Sequence, residues 1–80
     1  MQYAKKDEEI VKTLRRENVE FRNEEREHER LSKLLEKLNK RKNLLPEEEL
    51  TVKRLHVEKL ATKDRLMQWI RHSSGAAGKA

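Results

Sequence analysis

Apolar positions in the first half of the chain recur at helical spacing. Leu31, Leu34, Leu35 and Leu38 follow the i, i+3, i+4, i+7 pattern that gathers side chains on one face of an α-helix. Carried backwards, the same spacing reaches His28, Glu24, Phe21, Glu17, Leu14 and Ile10; carried forwards, it reaches Lys42 and Leu45. The stripe is apolar at its ends and polar in its middle. An uninterrupted parallel coiled coil tolerates few such positions, so the facing surface must offer partners to Glu17, Glu24 and His28.

A break is expected at Asn43-Leu44-Leu45-Pro46. Lys40, Arg41 and Lys42 suit the last turn of a helix, where cations favour the dipole, and Asn suits the residue just past it. Pro46 fits the first position of a new helix, and Glu47, Glu48 and Glu49 suit its first turn. A second helix over 46–71 then carries Val52, Leu55, Leu60, Leu66, Met67 and Ile70 on one side, with Lys59 and Lys63 inside that stripe. Lysine stems can cover apolar surface while the ammonium reaches water.

These elements predict an all-α fold: an antiparallel, coiled-coil-like two-helix hairpin over residues 1–72. Its parts are a helix over 6–42, a turn over 43–46 and a helix over 46–71; residues 73–80, rich in Gly, Ala and Ser, form a disordered tail. In such a hairpin the numbers of facing residues total about ninety. Leu35 then faces Leu55, Leu31 lies near Lys59, His28 near Thr62 and Lys63, Glu24 near Leu66, and Phe21 near Trp69. Glu24 or Glu27 is expected to reach Lys63, and His28 to bond a neighbour such as Asp64. The seam is expected to hold His28, Leu31, Leu35, Leu38, Leu55, Leu60, Lys63, Asp64, Leu66 and Ile70. The first helix would span about 55 Å against about 39 Å for the second at 1.5 Å per residue. Ile10, Val11 and Leu14 therefore overhang, unless a short N-terminal helix folds back.

Composition narrows the classes of function. Charged residues make up 44% of the 80-residue chain, hydrophobics 34% and aromatics 4%, with two Gly, one Pro and no Cys. Turn residues are too few for a β-sandwich or an α/β fold, and disulfides and thiolate metal sites are excluded. About twenty large apolar side chains give a core worth no more than about 3–5 kcal/mol, so self-association or docking on another helical protein is expected. Ile10, Leu14, Phe21 and Trp69 are the candidate association residues. No apolar run reaches the roughly 18 residues of a membrane span, and no signal-peptide core follows Met1, so a cytoplasmic protein without a membrane partner is expected.

Two stretches resemble a known family. Phe21, His28, Leu31 and Leu35 form F-x6-H-x2-L-x3-L, and Lys59-Leu60-Ala61-Thr62-Lys63-Asp64-Arg65-Leu66 is close to K-L-x-x-K-D-x-[IL], with Ile70 four residues on. In this order, across a short turn, they resemble the YdcH-like family of short bacterial helical-hairpin proteins over about residues 14–71. The resemblance implies a cytoplasmic two-helix hairpin in a family without an assigned biochemical function. The family's breaker before the Phe, commonly Asn-Pro, is here Asn18-Val19, which leaves a bend permitted but not enforced.

The charge pattern offers little chemistry. Glu24-x-x-x-His28 and Glu25-x-x-His28 lie on one helix, but a di-iron carboxylate site needs the Glu-x-x-His motif twice plus further Glu on other helices, so no metal or other cofactor is expected. His56 and His72 lack ligand spacing. A two-helix ridge offers no desolvated pocket for acid–base work, so neither an enzyme nor a small-molecule substrate is expected. Nucleic acid is the rival partner. The net charge is +5, and Lys37, Lys40, Arg41, Lys42, Lys53 and Arg54 gather around the turn, where Glu47, Glu48 and Glu49 partly cancel them.

Overall fold

The computed structural model describes residues 3–73, and among them the chain is all-helical, without strands. A 3₁₀ turn, Lys5–Asp7, leads into three helices: α1 (Glu8–Glu17), α2 (Val19–Asn39) and α3 (Pro46–Ser73). Helices α2 and α3 run in opposite directions and form the main packed pair, while α1 folds back against both. The expected helix over 6–42 is therefore two helices, and the fold has three helices where a plain hairpin has two.

Asn18 makes the corner. Its backbone is extended (φ −126°, ψ 110°), which ends α1, and its side-chain Oδ1 accepts the Phe21 amide at 2.9 Å, which starts α2. An unpaired first-turn N–H is thereby satisfied, the ordinary work of an Asn N-cap. No proline is needed, because the capping bond supplies what the backbone loses by leaving the helix. Acidic Glu8 and Glu9 in the first turn of α1, and Arg15 and Arg16 in its last, suit the dipole of a separate short helix.

The corner buries what a straight rod would have exposed. Val11, Leu14, Phe21, Leu66 and Ile70 form one buried cluster, with Tyr3, Ile10, Met67 and Trp69 packed against it. Phe21, Leu31 and Leu66 are completely shielded from solvent. Three helices enclose this end, so a third wall replaces the partner that a two-helix hairpin would need.

Toward the turn only α2 and α3 remain, and the core thins. Leu35 is buried, whereas Leu34, Leu38, Val52 and Leu55 are half-exposed. Leu60 is 61% exposed. It lies at the same edge of the α3 stripe as Met67, at 100° per residue. Met67 is covered by the cluster that α1 completes, while Leu60 lies beyond it. Lys63 and Asp64 also stand exposed, outside the seam expected for them.

The register matches facing numbers that total about ninety. Arg65 Nε donates to Glu24 Oε2 at 2.8 Å, so Glu24 pairs with Arg65 where Lys63 was expected, and Glu27 pairs with Arg30 at 2.6 Å. The second Glu24 oxygen, Oε1, is buried without a hydrogen-bond partner. Thr62 is buried, and its hydroxyl donates to the Lys59 carbonyl at 2.7 Å, which removes the cost of an unmet polar group.

Helix α2 ends at Asn39, three residues before the expected boundary, with its last turn tightened by an Arg41 N–H to Leu38 carbonyl bond of 3.2 Å. Leu45 precedes Pro46, and its N–H donates to Glu48 Oε1 at 2.9 Å, the acidic half of a capping box. Glu48 also pairs with Arg41, so a single carboxylate ties α3 to the end of α2. Ser73, expected in the tail, is the last residue of α3. The remainder of the expected tail lies outside the described residues.

Candidate functional site

Three side chains clasp the closed end. Arg15 donates to Glu25 through Nε (2.9 and 3.1 Å) and Nη2 (2.9 Å), and the Tyr3 hydroxyl donates to Glu25 Oε2 at 2.7 Å. The guanidinium also lies 5.9 Å from the Tyr3 ring centroid, within cation–π range. Arg22 Nη1 donates to the Arg15 carbonyl at 2.7 Å, which caps the C-terminal end of α1. Neither Tyr3 nor Arg15 was singled out from the sequence, and Glu25 was weighed there only as a metal ligand beside His28. Contact between them depends on the fold-back at Asn18, and pattern alone does not fix the angle of that corner.

Beside the clasp lies a cleft of about 340 Å³, lined chiefly by Tyr3, Arg15, Arg22, Glu25, Arg26 and His28. Burial, and then the hydrogen bond to Glu25, push the Tyr3 phenol well above its ordinary range, against the Arg15 charge. Burial alone would raise the Glu25 carboxyl, but the hydrogen bonds from Arg15 and Tyr3 outweigh it and the net shift is downward. Both groups therefore move away from neutrality. Such an arrangement holds an ion pair and is poorly placed to exchange protons near pH 7.

His28 is 7% exposed and sits between the cluster and Leu31 along α2. Burial, followed by the positive charges of Lys59 and Lys63, lowers its pKa, with Glu29 opposing. The ring is thus neutral at pH 7. Its expected bond to Asp64 is not formed, because Asp64 points to solvent. Among the described residues no three His, Asp or Glu side chains converge as metal ligands do.

Of the expected association residues, two are buried and two are only partly exposed. Leu14 and Phe21 belong to the buried cluster, and Ile10 and Trp69 pack against it. They serve the interior because α1 returns to cover them. The six basic residues around the turn, Lys37, Lys40, Arg41, Lys42, Lys53 and Arg54, are all exposed. Arg41 is taken by Glu48, whose carboxyl is held below its usual range first by the Leu45 N–H and then by the Arg41 charge.

Apolar exposure concentrates instead on α3. Leu50 is 63% exposed, Val57 66% and Leu60 61%, and Leu45 just before the helix is 59% exposed. At 100° per residue Leu50 and Val57 point away from the face that bears Leu66 and Ile70. Helix α3 is therefore apolar on two sides. One side builds the core, and the other meets water along the stretch where the fold is only two helices thick. The sequence contained this second face, but a search for a single stripe passes over it.

No helix among the described residues is long and apolar enough to cross a membrane. No protein-family model matches the chain, and neither the curated proteins nor the solved structures contain a match.

Proposed function

We propose that this chain is a non-enzymatic interaction module that associates through the outward face of α3. The observation that carries this reading is the outward pair Leu50 and Val57, flanked by Leu60, each more than three-fifths exposed on one helix. Large apolar side chains grouped on an ordered surface mark association more often than chance exposure does. A coiled-coil-like pairing with another helix, in the cytoplasm, is the arrangement such a row suits. YdcH-like descent is part of the same proposal, resting on the Phe21-to-Leu35 and Lys59-to-Leu66 motifs.

The test is site-specific photo-crosslinking in cells. A photoreactive residue at Val57 is expected to yield a protein adduct, whereas one at Lys12, exposed on α1, yields none. Equal labelling from both positions, or none from Val57, overturns the reading. The adduct mass states whether the partner is the chain itself or another protein.

A second reading is binding of RNA or DNA at the turn, favoured by the exposure of Lys37, Lys40, Lys42, Lys53 and Arg54. It ranks lower because Glu48 engages Arg41 and few aromatics are available for stacking. Binding that falls steeply with salt, and with neutralisation of Lys40 and Lys42, would promote it.

A further inference from the structure

The outward face of α3 carries a charge pattern as well as apolar surface. At 100° per residue Glu47, Arg54, Glu58 and Arg65 all line the same flank of the Leu50–Val57 row. Read along the helix, the signs run acid, base, acid, base. Such a row is complementary to itself when reversed. A two-fold axis beside residue 56 sets Arg54 opposite the partner's Glu58 and Glu47 opposite the partner's Arg65, and each pair occurs twice. The same operation brings Val57 beside the partner's Val57, and Leu60 within about 3 Å of the partner's Leu50 along the helix axis. Antiparallel two-fold pairing keeps each flank facing its own copy, so the acids and bases of one flank do meet. Parallel pairing would set this flank against the opposite one, which carries Lys53, Leu60 and Asp64, and would not bring the Arg54–Glu58 and Glu47–Arg65 pairs together.

The charges are available for this use. The side chains of Glu47 and Arg54 make no hydrogen bond or ion pair among the described residues, and Glu58 acts across space on Arg30, which is already held by Glu27. Arg65 gives only its Nε to Glu24, and a guanidinium has further donors.

We infer that a second copy of this chain docks on the outward face of α3, antiparallel, with Val57 at the centre and reciprocal Arg54–Glu58 pairs fixing the register. This inference rests on the reading of that face as an association surface, and it names the occupant. One helix face per partner makes a small interface, below about 1,200 Å², so the dimer is weak and its dissociation constant is micromolar or higher.

Sedimentation equilibrium of the full chain tests it, over roughly 10 µM to 1 mM, the range a weak interface of this size populates, and in low salt because exposed ion pairs are screened. The wild type is expected to pass from monomer to dimer. Arg54→Glu and Glu58→Arg each place like charges together and should raise the dissociation constant at least about fivefold, or about 1 kcal/mol. The double variant Arg54→Glu/Glu58→Arg exchanges the signs and should restore the wild-type constant. Both substitutions are on exposed positions, and circular dichroism checks that helicity is kept in all three variants. A monomer at every concentration, or a dimer indifferent to the single reversals, overturns the inference. A monomer whose Val57 crosslinks to a different protein overturns it while leaving the interaction reading intact, and absence of both overturns both.

Discussion

Asn18 Oδ1 accepts the Phe21 amide at 2.9 Å, and through this bond one side chain decides whether the N-terminal residues overhang or enter the core. Asn18→Ala removes the cap and should lower stability by about 1 kcal/mol, within the ordinary range for an N-cap. Urea unfolding followed by circular dichroism measures it. An unchanged midpoint would mean that the corner is held by packing of Leu14 and Val11 alone.

That corner also shows where sequence reasoning stops. The turn before Pro46 was legible because Pro, three Glu and the preceding bases agree, and the register followed from the turn, as Glu24 and Arg65 confirm. The corner at Asn18 was legible only as a permitted bend, since a capping Asn inside a helical pattern looks the same as an Asn on a helix surface until its side chain finds an amide. The consequences of leaving it open spread. With α1 straight, Leu14 and Phe21 read as association residues; with α1 folded back, they are core. Leu60 was misplaced for a related reason, because a stripe edge is buried only where a third helix reaches it.

Truncations along the seam should divide accordingly. Leu31→Ala and Leu35→Ala, at buried positions, are expected to cost about 2–5 kcal/mol each and to unfold so small a protein in part. Leu60→Ala should stay within about 0.5 kcal/mol of the parent. Thermal melts at low protein concentration, where self-association is minimal, distinguish them. A Leu60 variant as damaged as the Leu35 variant would place Leu60 inside the fold.

The clasp at the closed end should be worth little by itself. A double-mutant cycle on Arg15→Ala and Glu25→Gln is expected to return a coupling of about 1 kcal/mol, near the upper end for partly exposed pairs and consistent with the bidentate geometry. Chemical denaturation of the four proteins measures it. A coupling near zero would leave Tyr3 as the chief partner of Glu25.

His28 gives stability a dependence on pH. Its folded pKa lies below the ordinary 6.5, so the unfolded chain takes up the proton first as pH falls. The contribution is fully present above about 6.5 and is lost as pH drops through the folded value, with a slope of at most about 1.4 kcal/mol per pH unit. The carboxyls of Glu25, Glu27 and Glu48 are also lowered, but from 4.5, so their losses fall at more acidic pH. Unfolding free energies between pH 7.5 and 5 should therefore decline in the parent and stay flatter in His28→Gln. Equal slopes in the two proteins would assign the dependence to another group.

Hydroxyl-radical footprinting at rising protein concentration addresses both halves of the fold in a single measurement. Leu14, Phe21 and Ile70 should be protected at every concentration, because α1, α2 and α3 enclose them within one chain. Leu50, Val57 and Leu60 should be reactive when the protein is dilute and become protected as it is concentrated. Reactivity at Leu14 and Phe21 in dilute solution, or Leu50 and Val57 that stay open at the highest concentration, would contradict a closed three-helix end and a docking face on the far side of α3.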